Sequence, residues 1–123
     1  MALSLKHTAF QEVSQYPSVA LAYAPWCGHC KRFLPEYNSF AEKFGTTQGT
    51  EASPATPLVT KIDAHKYGNH LKSGNYLGAD EIRGFPTTLF YNGDGNTYEV
   101  YNGPRTAEAL KAGWQKFQEA NPK

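Results

Sequence analysis

Val19-Ala20-Leu21-Ala22-Tyr23 is an uninterrupted apolar run, with Pro17-Ser18 before it and Ala24-Pro25 after it. A run this short, without polar alternation, reads as a strand buried on both faces. Such a strand needs cover on both sides, so the chain must supply helices for two faces of one sheet. Its 123 residues suit a single compact domain, residues 1–123.

The flanking patterns supply the remaining layers. Leu3-Ser4-Leu5 reads as a short first strand. Thr8-Ala9-Phe10-Gln11 has capping-box spacing, predicting a short helix to about Gln15 that breaks before Pro17. Phe33, Tyr37, Phe40, Ala41 and Phe44 recur at helical spacing, predicting a helix from near Cys27 to Phe44 with a kink at Pro35. Residues 45–57, rich in Gly, Thr, Ser and Pro, read as a loop, and residues 58–63 as a strand. Glycine and asparagine clusters interrupt residues 65–80, leaving 65–71 as the helical part. A strand starts after Pro86, Asn92-Gly93-Asp94-Gly95 signals a hairpin, and 97–101 returns. Thr106 caps a final helix with Leu110, Trp114 and Phe117 on one face. The order β-α-β-α-β-α-β-β-α implies an α/β fold, a mixed central sheet with helices on both faces.

Two cysteines are present, in Cys27-Gly28-His29-Cys30. Two cysteines make no disulfide framework, and a bridge across two residues closes too small a loop to add much stability. At a helix start, unpaired amides and the helix dipole favour negative charge. Cys27, at or before the first turn, is then the stabilised thiolate and the nucleophile of disulfide exchange. Cys30, one turn further in, is placed to attack a mixed disulfide on Cys27. His29 between them offers a proton or partial positive charge to a thiolate, which makes the disulfide more oxidising. The rival readings of the pair are half a zinc site, with ligands from His7, His29, His65 and His70, and a structural disulfide. The spacing of His65 and His70 does not put both on one helical face, and both read as surface residues.

Ala24-Pro25-Trp26-Cys27-Gly28-His29-Cys30-Lys31 resembles the active-site motif of the protein disulfide isomerase family. Gly84-Phe85-Pro86-Thr87 resembles that family's loop with a cis-proline, and Tyr101-Asn102-Gly103-Pro104-Arg105-Thr106 resembles the loop before its last helix. The distance of Pro35 from Cys30 matches the family's helix kink. The resemblance spans essentially the whole chain and implies a thioredoxin fold. It implies that Cys27 is the attacking, substrate-linked cysteine and Cys30 the buried, resolving one. Pro86 is then cis and faces the pair, keeping metal off the thiols and leaving the Phe85 backbone to an extended substrate. Trp26 shields the site and contacts substrate, and Arg105 matches a mobile arginine that approaches the buried cysteine. Gly28 and His29 complete the catalytic motif.

Two departures stand out. The family carries a buried carboxylate six residues before its first cysteine, where this chain has Leu21. Lys61, which matches that carboxylate's partner, is left without it, so the expectation is slower resolution of mixed disulfides, or a stand-in such as water or movement of Arg105. Residues 63–84 are about six longer than the family pattern, and the extra 67–79 stretch falls at one rim of the site.

The implied activity is protein thiol–disulfide exchange of disulfide-isomerase type. The alternatives are a thioredoxin-like reductase and a peptide-binding or chaperone module with secondary redox activity. No metal or organic cofactor is expected, since the cysteine pair is the redox centre. The expected partners are unfolded or disulfide-containing proteins, with glutathione or a partner oxidase or reductase for turnover. Net charge is +1 and no apolar run is long enough to span a bilayer, so neither nucleic acid nor membrane is expected as a partner. Residues 1–6 do not read as a signal peptide, and Asn121-Pro122-Lys123 is not a retention tail. The motif points to the endoplasmic reticulum lumen if this is a domain of a longer secretory-pathway protein, and otherwise to the cytoplasm.

Overall fold

The computed structural model describes residues 3–5, 12–74 and 76–122. The elements run β1 (Leu3–Leu5), β2 (Pro17–Tyr23), α1 (Gly28–Phe44), β3 (Leu58–Asp63), α2 (Gly68–Ser73), β4 (Thr87–Asn92), β5 (Tyr98–Tyr101) and α3 (Ala107–Ala120). The capping box at residues 8–11 lies outside the described residues. The five strands form one mixed sheet in the order β1-β3-β2-β4-β5. β2 is central, parallel to β3 with Leu21 opposite Lys61, and antiparallel to β4 with Leu21 opposite Thr88.

The alternation along β2 divides the core. Val19 and Leu21 join Phe33, Tyr37, Leu110 and Phe117 in a cluster under α1 and α3. Ala20 and Ala22 join Ile62, Leu71, Leu89 and Tyr91 on the opposite face, with α2. Successive strand side chains point to opposite faces, so an all-apolar run serves both layers. Small alanines suffice on the second face, where Tyr91 and Leu71 fill the space.

The helix α1 is the platform for the cysteines. Tyr37 is fully buried, and its hydroxyl donates to the carbonyls of Thr60 (2.6 Å) and Val19 (3.0 Å). One side chain thereby ties the middle of α1 to both central parallel strands. Pro35 removes the amide that would pair with the Lys31 carbonyl. The helix continues through it unbroken from Gly28 to Phe44. Glu36 beside it accepts from the Ala107 amide (3.1 Å), joining α1 to the start of α3. Thr106 caps α3 by accepting from the Ala109 amide (3.2 Å).

Several boundaries move from those expected. β2 begins at Pro17, because a proline needs no ladder amide at a strand's first residue. The helix expected at 65–71 forms over Gly68–Ser73. The Asp63 carboxylate accepts from the amides of His65 (3.1 Å) and Lys66 (3.0 Å), which spends two residues on a turn first. The 45–57 segment includes a 3-10 turn at Gly49–Glu51 and a parallel bridge from Thr46 to Leu58. In the hairpin, Gly93 (φ 92°) and Gly95 (φ 76°) take left-handed backbone conformations. Asp94 accepts from the Thr97 amide and hydroxyl, both at 2.7 Å, so β5 starts one residue late, at Tyr98.

Candidate active site

The chain leaves β2 at Tyr23, crosses Ala24-Pro25-Trp26 and enters α1 at Gly28. Cys27 is therefore the N-cap. Its sulfur takes the place usually held by a serine or aspartate oxygen and accepts from the Cys30 amide at 3.2 Å. No acidic side chain lies in the first turn, so nothing but the sulfur answers the positive end of the helix. A thiolate here is stabilised for the same reason as a capping carboxylate.

The two sulfurs are inequivalent. Both cysteines are free thiols; Cys27 is 7% exposed and Cys30 0%. The hydrogen bond with the Cys30 thiol is the main influence holding Cys27 below its ordinary value. The amides of Cys30 and His29 and the charge of Arg105 act the same way, while desolvation opposes them. Burial pushes Cys30 up to about 11, and its hydrogen bond to Cys27 adds to the rise. The outer sulfur thus ionises first and is the one a substrate reaches.

The expected site residues sit around this pair. The Phe85–Pro86 bond is cis. Phe85 turns its carbonyl to the Cys27 sulfur, which donates to it at 3.6 Å. Trp26 is 61% exposed, and its ring meets Phe85 edge-on at 5.9 Å. Gly28 has nothing within 4 Å of where a Cβ would stand, so the approach to the pair is open there. The guanidinium of Arg32 donates to His29 Nδ1 at 3.0 Å. A guanidinium has no acceptor, so Nδ1 must accept and the ring proton sits on Nε2. Arg105, on an exposed loop, is close enough for its charge to favour both thiolates. That loop is held by the Tyr101 hydroxyl donating to the Pro104 carbonyl (2.6 Å) at one end and by Glu36 at the other.

Leu21 is fully buried in the apolar cluster, and Lys61 stands opposite it on β3. Among the described residues, no three His, Cys, Asp or Glu side chains converge to hold a metal ion. His7 lies outside the described residues.

Two residues at the site were not singled out as such from the sequence. His65, read as a surface residue, meets the Trp26 ring edge-on at 5.9 Å. Arg83, with Gly84 and Phe85, lines two cavities, of about 470 Å3 and 320 Å3. The only available signals were position: His65 two residues beyond β3, Arg83 three before Pro86.

A thioredoxin family model matches residues 2–116. Protein disulfide isomerase-like 1-1 of Arabidopsis thaliana is 36% identical over 110 residues, which is 88% of this chain and 20% of that protein. The protein disulfide-isomerase of Hordeum vulgare is 36% identical over 99 residues, 80% of this chain and 17% of that one. The chain therefore spans about a fifth of the length of these relatives. The solved Trx4 domain of ERdj5 has the same fold at 21% identity, with a TM-score of 0.68 over 97% of this chain and 96% of that one. Full-length ERdj5 gives a TM-score of 0.73 at 20% identity, covering 94% of this chain and 16% of that one.

Proposed function

This chain belongs to the thioredoxin family, and on that footing we propose that its Cys27–Cys30 pair exchanges disulfides with protein substrates, as an oxidase or isomerase. The observation that carries the reading is the asymmetry of the sulfurs: a helix-capping Cys27, 7% exposed and with a lowered pKa, beside a fully buried Cys30 at about 11.

The Cys27 thiolate attacks one sulfur of a substrate disulfide. The substrate S–S bond breaks, a mixed disulfide forms on Cys27, and the second substrate sulfur leaves as a thiolate that takes up a proton. Cys30 then gives up its proton and attacks the Cys27 sulfur, releasing the substrate's remaining thiolate. Two electrons have passed to the substrate and Cys27–Cys30 has become a disulfide. Run backwards, the same steps oxidise a substrate dithiol. When a substrate thiol resolves the mixed disulfide instead, the result is isomerisation.

His29 presents its Nε2 proton to the departing sulfur and favours the reduced, thiolate-bearing pair. Trp26 covers the pair beside its point of attack. Pro86, with no amide hydrogen, leaves the Phe85 backbone as the edge on which an extended substrate lies. Arg105 supplies positive charge as Cys30 ionises. Glutathione or a partner oxidase or reductase returns the pair to its starting state. An oxidising compartment, the endoplasmic reticulum lumen foremost, suits this chemistry. Among the described residues, no helix is long and apolar enough to cross a membrane.

The test is covalent trapping on an unfolded disulfide-containing protein. Cys30→Ser accumulates a mixed disulfide at Cys27, visible as an added mass without reductant, and Cys27→Ser accumulates none. A variant with both cysteines replaced by serine that kept full activity would instead make this a binding module. Equilibration in glutathione buffers sets the direction. A potential near about −180 mV fits an oxidase or isomerase, and one near about −270 mV a thioredoxin-like reductase.

A further inference from the structure

The longer segment between β3 and β4 builds one wall of a groove beside the cysteines. A cavity of about 320 Å3 opens between the start of this segment, α2 and the stretch from Ala79 to Phe85 that leads to Pro86. Leu71, Ile82 and Phe85 form its apolar lining, and Lys66, Lys72, Arg83 and His65 its charged or titratable lining. Among the described residues, no Asp or Glu lines it. The whole chain carries a net charge of only +1, so this is a local concentration of positive charge.

The carboxylates nearest in the chain, those of Asp63, Asp80 and Glu81, stay outside the lining. Asp63 turns its Oδ1 to the His65 and Lys66 amides. Asp80 meets Arg83 through its backbone carbonyl, which accepts from Nε at 3.3 Å. Glu81 lines the neighbouring cavity, which shares Arg83, Gly84 and Phe85 with this one. Lys66 stands 5.3 Å from the Tyr67 ring centre, a contact that leaves its ammonium able to take an anion. The groove and the reacting sulfur share their boundary. Phe85 belongs to the groove and accepts from Cys27, and His65 belongs to it and packs on Trp26.

We propose that this groove selects substrate segments with acidic residues beside the reacting cysteine, reading their carboxylates with Lys66, Lys72 and Arg83. The inference deepens the disulfide-exchange reading and rests on it for the chemistry. An extended segment whose cysteine lies at Cys27 runs along Phe85 and delivers residues two or three places away into the groove. Exposed cations contribute modestly one by one, so several acting together on two carboxylates give a preference of about tenfold at low salt.

Two peptides identical except for glutamates or lysines at those flanking positions provide the test. With serine in place of the peptide cysteine, fluorescence anisotropy on the full chain reads binding without chemistry. The acidic peptide binds about tenfold tighter at low salt, and the difference collapses near 1 M salt, where the Debye length is about 3 Å. Lys66→Glu combined with Lys72→Glu reverses the preference. Equal binding of the two peptides by the unmodified chain, or a preference that survives the charge reversal, overturns the groove assignment. The cysteine-containing, disulfide-linked versions report on the chemistry. Acidic selectivity without any exchange overturns the oxidoreductase reading alone, and exchange without selectivity overturns the groove alone.

Discussion

Titrating the reduced protein with a thiol alkylator separates the two sulfurs more sharply than any substitution. Cys27 is held below its ordinary value, while burial raises Cys30 to about 11. At pH 7 a cysteine at the ordinary value of 9.0 is about 1% thiolate, and Cys27, held below that value, exceeds that fraction. By the same arithmetic a thiol at about 11 is thiolate in only about one molecule in ten thousand. The ratio of reactive forms is thus at least about 100 in favour of Cys27 at pH 7, before the complete burial of Cys30 is counted. Iodoacetamide labelling followed by peptide mass mapping reads each site across pH 5 to 9. The Cys27 rate levels off below the pH expected of a free cysteine, while Cys30 stays nearly unlabelled and rises tenfold per pH unit. Labelling of Cys30 within tenfold of Cys27 at pH 7 would refute the inequivalence of the sulfurs. A Cys27 midpoint at or above the free-cysteine value would refute the capping argument.

Tyr37→Phe removes a hydroxyl bound to two strand carbonyls from a fully buried position. It costs about 1–2 kcal/mol, seen as a lower urea midpoint at unchanged slope. No change in midpoint would mean that the packing of the ring, and not the hydroxyl, holds α1 to the sheet. Leu21→Glu puts a proton acceptor where the resembled isomerases carry one, opposite Lys61. Rapid quenching should show faster resolution of the mixed disulfide, and urea melts a loss of about 2 kcal/mol or more from the buried carboxylate. Unchanged resolution would show that Cys30 loses its proton by another route.

The sequence disclosed the parts of the molecule whose causes are local. The cysteines, the apolar run of β2, the Asn92–Gly95 turn and the Thr106 cap each act through neighbours a few residues away. Their spacing already carries the physics. The cis bond before Pro86 was legible only through resemblance, because nothing in the local residues distinguishes it from a strand-opening trans proline. The rim of the site was less legible. His65 reaches it by meeting Trp26 edge-on, 39 residues away in the chain, and Arg83 by the course of the irregular segment into Phe85. Glycines and asparagines between 65 and 80 hide helical periodicity, so neither the displacement of α2 nor the wall it forms could be read there. The Thr46–Leu58 bridge was hidden for the same reason: a single paired residue leaves no pattern in a loop rich in turn formers.

The loop that carries Arg105 is fastened at both ends, by the Tyr101 hydroxyl on the Pro104 carbonyl and by Glu36 on the Ala107 amide. Any travel of the guanidinium toward the sulfurs is then a change of rotamer in an exposed side chain. Such flips take picoseconds to nanoseconds, whereas loop opening takes nanoseconds to microseconds or longer. The arginine would therefore visit and leave the cysteines many times within one turnover. On the proposed chemistry its influence would be a time-averaged field, with no waiting step imposed on exchange.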